Sequence, residues 1–179
     1  MTRRLLVGGP SSSGKSTFVL SLVEHIRARG ETAEALELDQ WSNSYAAFRG
    51  EIPFEGRQKR FDLAWDWKGA VAPLIERFKN SDADVVFGDL PGVLGAANSH
   101  MCELTAPFAD GAVIISRTLE GLKDWRRFFR DDYGLRIVRE YVSVQKSRPI
   151  VLPDMNRIID PASPFVRDFA VSLLGPRDI

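Results

Sequence analysis

Hydrophobic positions along the chain fall into short apolar runs that alternate with longer stretches of helical spacing. Residues 3–7 form the first run and predict a strand that ends in a glycine–serine turn. Phe18, Val19, Leu22, Val23 and Ile26 then recur at helical spacing, which predicts a helix over 15–29, with Gly30 where a terminating glycine sits. Further strands are predicted at 33–38, 83–87, 111–115 and 135–144, with a short sixth at 149–152. Helices are predicted at 57–79, 99–106, 119–132 and 164–174. The first of these carries Phe61, Ala64, Val71, Leu74, Ile75 and Phe78 on one stripe, with Pro73 as a point of kinking. Residues 39–56, with Gly50, Pro53 and Gly56, read as a long loop, which in a compact α/β chain tends to be functional. The alternation predicts an α/β fold: a doubly wound, mostly parallel sheet in three α/β/α layers, with ligands at the carboxyl ends of its strands.

One stretch of this pattern carries specific chemistry. Gly9-Pro-Ser-Ser-Ser-Gly14-Lys15-Ser16 fits G-x-x-x-x-G-K-[ST] in full, between an apolar strand and an amphipathic helix. Glycines let the backbone wrap phosphates, while N–H groups and the helix N-terminus supply positive potential. Lys15 would neutralise the β- and γ-phosphates and Ser16 would offer its hydroxyl to Mg²⁺. Gly9, Ser12, Ser13, Gly14 and Thr17 complete the predicted nucleotide cradle, so ATP and Mg²⁺ are the expected cofactors. The chain has no Asn-Lys-x-Asp base-reading motif, which favours ATP over GTP.

Two carboxylates fit the same site. Asp89 ends the apolar run 84–89, where a Walker B carboxylate would hold Mg²⁺. It opens Asp89-Leu90-Pro91-Gly92, similar to the D-x-x-G switch in which a glycine N–H senses the γ-phosphate. Asp39 follows the second strand and aims at the phosphates, as an orienter of water or as a base for a hydroxyl substrate. Arg117, just past the fourth strand, is a candidate for phosphate or base contact. Lys15, Asp39 and Asp89 are therefore the candidate catalytic residues, with Ser16 and Asp89 on the metal.

Composition narrows the partners. The 179 residues include 24 Lys+Arg and 24 Asp+Glu, so no basic field calls for nucleic acid or an anionic membrane. Cys102 is the only cysteine, and His25 and His100 are the only histidines, which leaves little for structural zinc. The opening apolar run is too short for a signal segment, and none approaches a membrane span of roughly 18 apolar residues. The expectation is one cytoplasmic nucleotide-binding domain over 1–179.

The phosphate loop, LELDQWSNS, VVFGDLPG and AVIISRTLEGLKDWRRFF together resemble the P-loop NTPases, most closely the MinD/ParA-like (SIMIBI) ATPases. GGPSSSGKSTF and SRTLEGLKDWRRFF are also similar to the P-loop domain appended to a CRISPR-associated ring nuclease. The resemblance implies a conformational switch driven by ATP hydrolysis, a protein partner and a homodimer. It also brings Asn156, in LPDMNR, toward the nucleotide base. The family's lysine near the start of the loop is absent, with Pro10 standing about there. A second resemblance is to small-molecule kinases of the uridine-kinase and chloramphenicol-phosphotransferase type. It implies a hydroxyl acceptor, Asp39 as base and the arginine-rich 125–130 segment as a lid. A nucleotide-sensing module without turnover is the third reading. Among minor signals, Trp65 and Trp67 fall on opposite sides of a helix and cannot share one core, so one of them, or Trp41, either lies partly buried under the neighbouring loop, the favoured reading, or faces a pocket or partner. Asp62 and Asp66 at i, i+4 read as a solvated pair.

Overall fold

The computed structural model describes residues 1–53, 66–143, 151–152 and 160–175. Six strands pair in parallel in the order β2-β3-β1-β4-β5-β6: β1 (Arg3–Gly8), β2 (Ala33–Glu37), β3 (Val85–Asp89), β4 (Gly111–Ser116), β5 (Ile137–Ser143) and β6 (Val151–Leu152). Between and after them run α1 (Lys15–Ala28), α2 (Ser44–Phe48), α3 (Trp67–Asn80), α4 (Ala96–Thr105), α5 (Leu119–Arg126) and α6 (Pro164–Leu174).

The sheet is covered on both faces, as an all-parallel sheet requires. Leu5, Val7, Phe87 and Val113 point to one side, where α1 and α6 bring Phe18, Leu22 and Phe169. Leu6, Val86, Ala112 and Ile114 point to the other, meeting Val71 and Phe78 of α3, Met101 of α4 and Trp125 of α5. Strands β3 and β4, and β1 after its two opening arginines, are mostly apolar because both faces are dry, so they read as continuous runs rather than alternations. The expected three-layer α/β/α architecture is present.

Several boundaries differ from the sequence reading. The third strand begins and ends two residues later than predicted, so it contains Asp89. A short helix, α2, interrupts the predicted 39–56 loop. The predicted 57–79 helix is observed as α3, starting at Trp67, with residues 57–65 outside the described part. Its start is set by Asp66, whose side chain accepts from the Gly69 N–H at 2.9 Å, so this aspartate is a cap. Pro73 sits inside α3 without dividing it. The predicted 119–132 helix changes to a π-helical turn at Arg127–Asp132. That turn buries Phe128 and Phe129 against Trp125, while Arg126 pairs with Glu140 at 2.6 Å. The segment offered as a lid is therefore anchored in the core by its aromatic residues.

The same aromatic group explains the absence of a side chain just before the phosphate loop. A Cβ on Gly8 would lie 2.3 Å from Trp125 Cε3 and 2.5 Å from Phe129 Cε2, both in rings packed in the core. Gly8→Ala is expected to lower unfolding free energy by about 1–3 kcal/mol through overpacking, read from the shift in urea midpoint.

Candidate functional site

Strand β1 delivers the chain to the carboxyl end of the sheet, where the turn to α1 must be tight. Gly9 has φ 144° and Gly14 has φ 94°, both costly for a side chain. A Cβ on Gly9 would also strike the Ile115 carbonyl oxygen, 1.8 Å away. Ser12 takes the left-handed region too, at φ 61°, a strained conformation of the kind that turns successive N–H groups toward one concavity. Ser13 and Thr17 are buried beneath the turn.

Lys15 is 7% exposed and folds back over the loop, donating from Nζ to the Gly9 carbonyl at 2.8 Å and the Pro10 carbonyl at 3.1 Å. Two neutral acceptors keep the buried ammonium hydrogen-bonded, and an anion in the loop would offer it stronger, charge-assisted bonds.

Asp89 reaches this loop through sheet register. β3 lies directly beside β1, with Val7 opposite Asp89, and the Leu90 N–H donates to the Val7 carbonyl at 3.0 Å. The Ser16 hydroxyl donates to Asp89 Oδ2 at 2.7 Å. Such a charge-assisted bond contributes about 1.5–3 kcal/mol, less than the several kcal/mol that burial of a carboxylate costs. Desolvation prevails: although Lys15 and Ser16 favour its charge, Asp89 is 1% exposed and pushed up to about 6. Asp89 Oδ1 and Tyr45 Oη are buried without a partner of hydrogen-bond geometry, though they act on each other electrostatically.

Asp39 stands just past β2. The preceding Leu38 N–H donates to the Asp89 carbonyl at 2.9 Å, and Asp39 adds negative potential at both Asp89 and Glu37. The structure thus brings together Lys15, Ser16, Asp89 and Asp39. Arg117 is exposed beyond β4, and Asn156 lies outside the described residues. His100 meets the Trp67 ring edge-on at 5.4 Å, while Cys102 is buried. Trp41 packs on Trp67 at 5.2 Å, so these two share one cluster beyond Asp39; Trp65 and Asp62 lie outside the described residues.

Two features were missed in the sequence. Glu37 pairs in register with Asp89, and burial, with the Asp89 charge beside it, pushes it up to about 8. An acid two residues before Asp39, at the end of a half-apolar strand, was the available signal. The second is a contact between loops: the Ser11 N–H donates to the Gly92 carbonyl at 3.1 Å. A Cβ on Gly92 would lie 2.5 Å from Ser11 N, so glycine is needed for that approach. Asn98, fully buried in α4, fixes the turn by donating from Nδ2 to the Pro91 carbonyl at 3.1 Å and the Val93 carbonyl at 2.8 Å.

The strand–loop–helix turn and the all-parallel sheet around it form a three-layer α/β/α fold, which is also the fold of the solved structures to which the chain is similar. In sequence the chain matches no protein-family model and none of the curated proteins. In structure it is similar to the septum site-determining protein MinD of Pyrococcus horikoshii, complexed with Mg-ADP (TM-score 0.58, 15% identity, 97% of this chain and 86% of that one). It is likewise similar to a plasmid partition protein of Borrelia burgdorferi bound to AMPPNP (TM-score 0.61, 11% identity, 97% and 98% covered). A cobyrinic acid a,c-diamide synthase of Mycobacterium smegmatis, with bound ATP analogue and magnesium, gives TM-score 0.62 at 17% identity over 97% and 95% of the two chains.

Glu37 makes stability depend on pH. Its carboxyl titrates near 8 when folded against 4.5 for the ordinary group, so the folded state holds the extra proton between those values. The nucleotide-free protein is therefore expected to lose stability as pH rises from about 5 to 8. Glu37→Gln is expected to flatten that slope in urea unfolding measured across the range.

Proposed function

We propose that residues 1–179 form one cytoplasmic nucleotide-binding unit that takes Mg-ATP, hydrolyses it and changes the conformation of its 39–53 and 90–98 segments with the state of the nucleotide. The observation that carries this reading is the hydrogen bond from Ser11 to Gly92, which ties the phosphate loop to the DLPG turn. A γ-phosphate held at the loop would compete for that N–H and bear directly on the turn. The nucleotides and magnesium bound to the structurally similar MinD, partition protein and synthase support the choice of ligand. Among the described residues no helix is long and apolar enough to cross a membrane.

In this reading the N–H groups of Ser12, Ser13, Gly14, Lys15, Ser16 and Thr17 cradle the phosphates, and Gly9 admits them. Lys15 exchanges its two loop carbonyls for phosphate oxygens and stabilises charge there. Ser16 and Asp89 would hold Mg²⁺, and the buried, orphaned Asp89 Oδ1 fits that use. Held by these two residues, the metal would supply positive charge that neutralises the phosphates. Asp39 orients the attacking water from the β2 side, Arg117 would contact phosphate or base, and the resemblance to the MinD/ParA-like ATPases offers Asn156, outside the described residues, to the base. A protein partner, or a second copy of the chain, would read the altered loops.

A small-molecule kinase is the second reading. Trp41 and Trp67, packed together at a tilt beside the Asp39 loop, favour it, because they offer an aromatic wall to a hydroxyl-bearing acceptor. Phosphorus NMR separates the two. With Mg-ATP alone, and again with a pool of nucleosides and sugars, inorganic phosphate is expected in both samples. A new phosphate ester confined to the supplemented sample would instead establish the kinase, with Asp39→Ala then removing transfer but not ATP binding. Lys15→Ala should weaken nucleotide binding by at least about tenfold, and unchanged affinity would sink both readings.

A further inference from the structure

Tyr45 of α2 is 3% exposed, yet its hydroxyl has no hydrogen-bond partner among the described residues. Phenylalanine would fill the same space without burying a polar atom, and a buried donor left unmade is costly. Packing therefore accounts for the ring and not for its oxygen. One other group nearby has the same defect. Asp89 is buried, and while its Oδ2 accepts from the Ser16 hydroxyl at 2.7 Å, its Oδ1 has no partner among the described residues.

Sheet geometry brings the two together. Ala33 of β2 and Val85 and Phe87 of β3 all turn to the α1 side, where they join the cluster that holds Phe18 and Leu20. By the two-residue period of a strand, Glu37 and Asp89 turn the same way, side by side in register. Tyr45 belongs to that same cluster, and its N–H donates to Glu37 Oε1 at 3.2 Å. The Arg49 guanidinium lies over the ring, 5.6 Å from its centroid. Held in this way, the Tyr45 hydroxyl and the Asp89 carboxylate act on each other electrostatically. A phenol keeps its proton at neutral pH, so toward a carboxylate it can only donate.

We propose that Tyr45 is a positioning residue for the metal: its hydroxyl donates to Asp89 Oδ1 and so fixes the carboxylate that Mg²⁺ would use. Ser16 then steadies one oxygen and Tyr45 the other, which stops the carboxylate from turning about its own bond. A donor to the ionised form also favours that form, the one a cation requires. Each carboxylate oxygen has two lone pairs, so Oδ1 can accept from Tyr45 and still serve the metal. The proposal rests on the reading of Ser16 and Asp89 as the Mg²⁺ residues, and adds a residue from the 39–53 segment that touches neither phosphate nor metal.

Calorimetry would follow Mg²⁺ titrated into ADP-loaded protein, for the parent and for Tyr45→Phe. ADP affinity would be measured separately in EDTA, and urea unfolding without ligand. Tyr45→Phe is expected to weaken Mg²⁺ binding about tenfold while ADP affinity in EDTA stays unchanged. Its urea midpoint should equal or exceed that of the parent, because only an unpartnered hydroxyl is removed. In parent protein with isotope-labelled tyrosine, the Tyr45 hydroxyl proton should become slower to exchange when Mg²⁺ joins ADP. The proposal is overturned if Tyr45→Phe takes Mg²⁺ as well as the parent does. A lower urea midpoint would also overturn it, since the hydroxyl would then serve the ligand-free fold. Weaker ADP binding in EDTA would do the same by assigning Tyr45 to the phosphate loop. A parent that binds no ADP would sink the hydrolysis reading and this proposal together. A parent whose ADP binding tightens with Mg²⁺, beside an equally responsive Tyr45→Phe, would sink this proposal alone.

Discussion

The pairing of β1 with β3 is the constraint from which the rest of the site follows. Side by side and in parallel, the two strands end together, so the chain's phosphate-wrapping turn and its buried aspartate arrive at the same point with no loop needed to aim either. Because both strands are sealed by helices, that point is dry on two sides. A carboxylate and an ammonium group are thus confined where water screens them poorly, with a half-buried hydroxyl bonded to the carboxylate. Fixed charges in a poorly hydrated pocket can act strongly on a polyanion, because little solvent has to reorganise when it enters.

The architecture was legible because apolar periodicity and turn chemistry act locally. The phosphate loop, its flanking strand and helix, and the final helix need no knowledge of distant contacts to be placed. The end of strand β3 was misjudged because Gly88 and Asp89 are poor strand formers in isolation. They are extended here because each pairs with β1 on one side and β2 on the other. Helix α2 was invisible for a different reason: five residues cannot sustain a helix by propensity, and this one depends on Tyr45 and Ala47 being buried. Pro73 was read as a point of kinking, yet α3 continues through it.

The candidate site divides the same way. Lys15, Ser16 and Asp89 were found because their spacing to glycines or to strand ends is fixed by the chemistry they would perform. Glu37 and the Ser11–Gly92 contact were not found because each depends on a register or approach between segments far apart in sequence. Glu37 is instructive. In the linear chain it is one charge in a mixed tract, and only the alignment of β2 against β3 turns it into a half-buried acid beside another acid.

Asn98 gives the loop after β3 a mechanical character. One amide nitrogen grips the carbonyls on both sides of Gly92, and that amide is rooted at the start of α4. A turn held at two points does not fray or flap; it travels as a lever whose fulcrum is the helix. Val93 and Leu94 form the exposed tip of that lever. A small displacement where Ser11 meets Gly92 would therefore emerge at the surface as a swing of two apolar side chains about that helix.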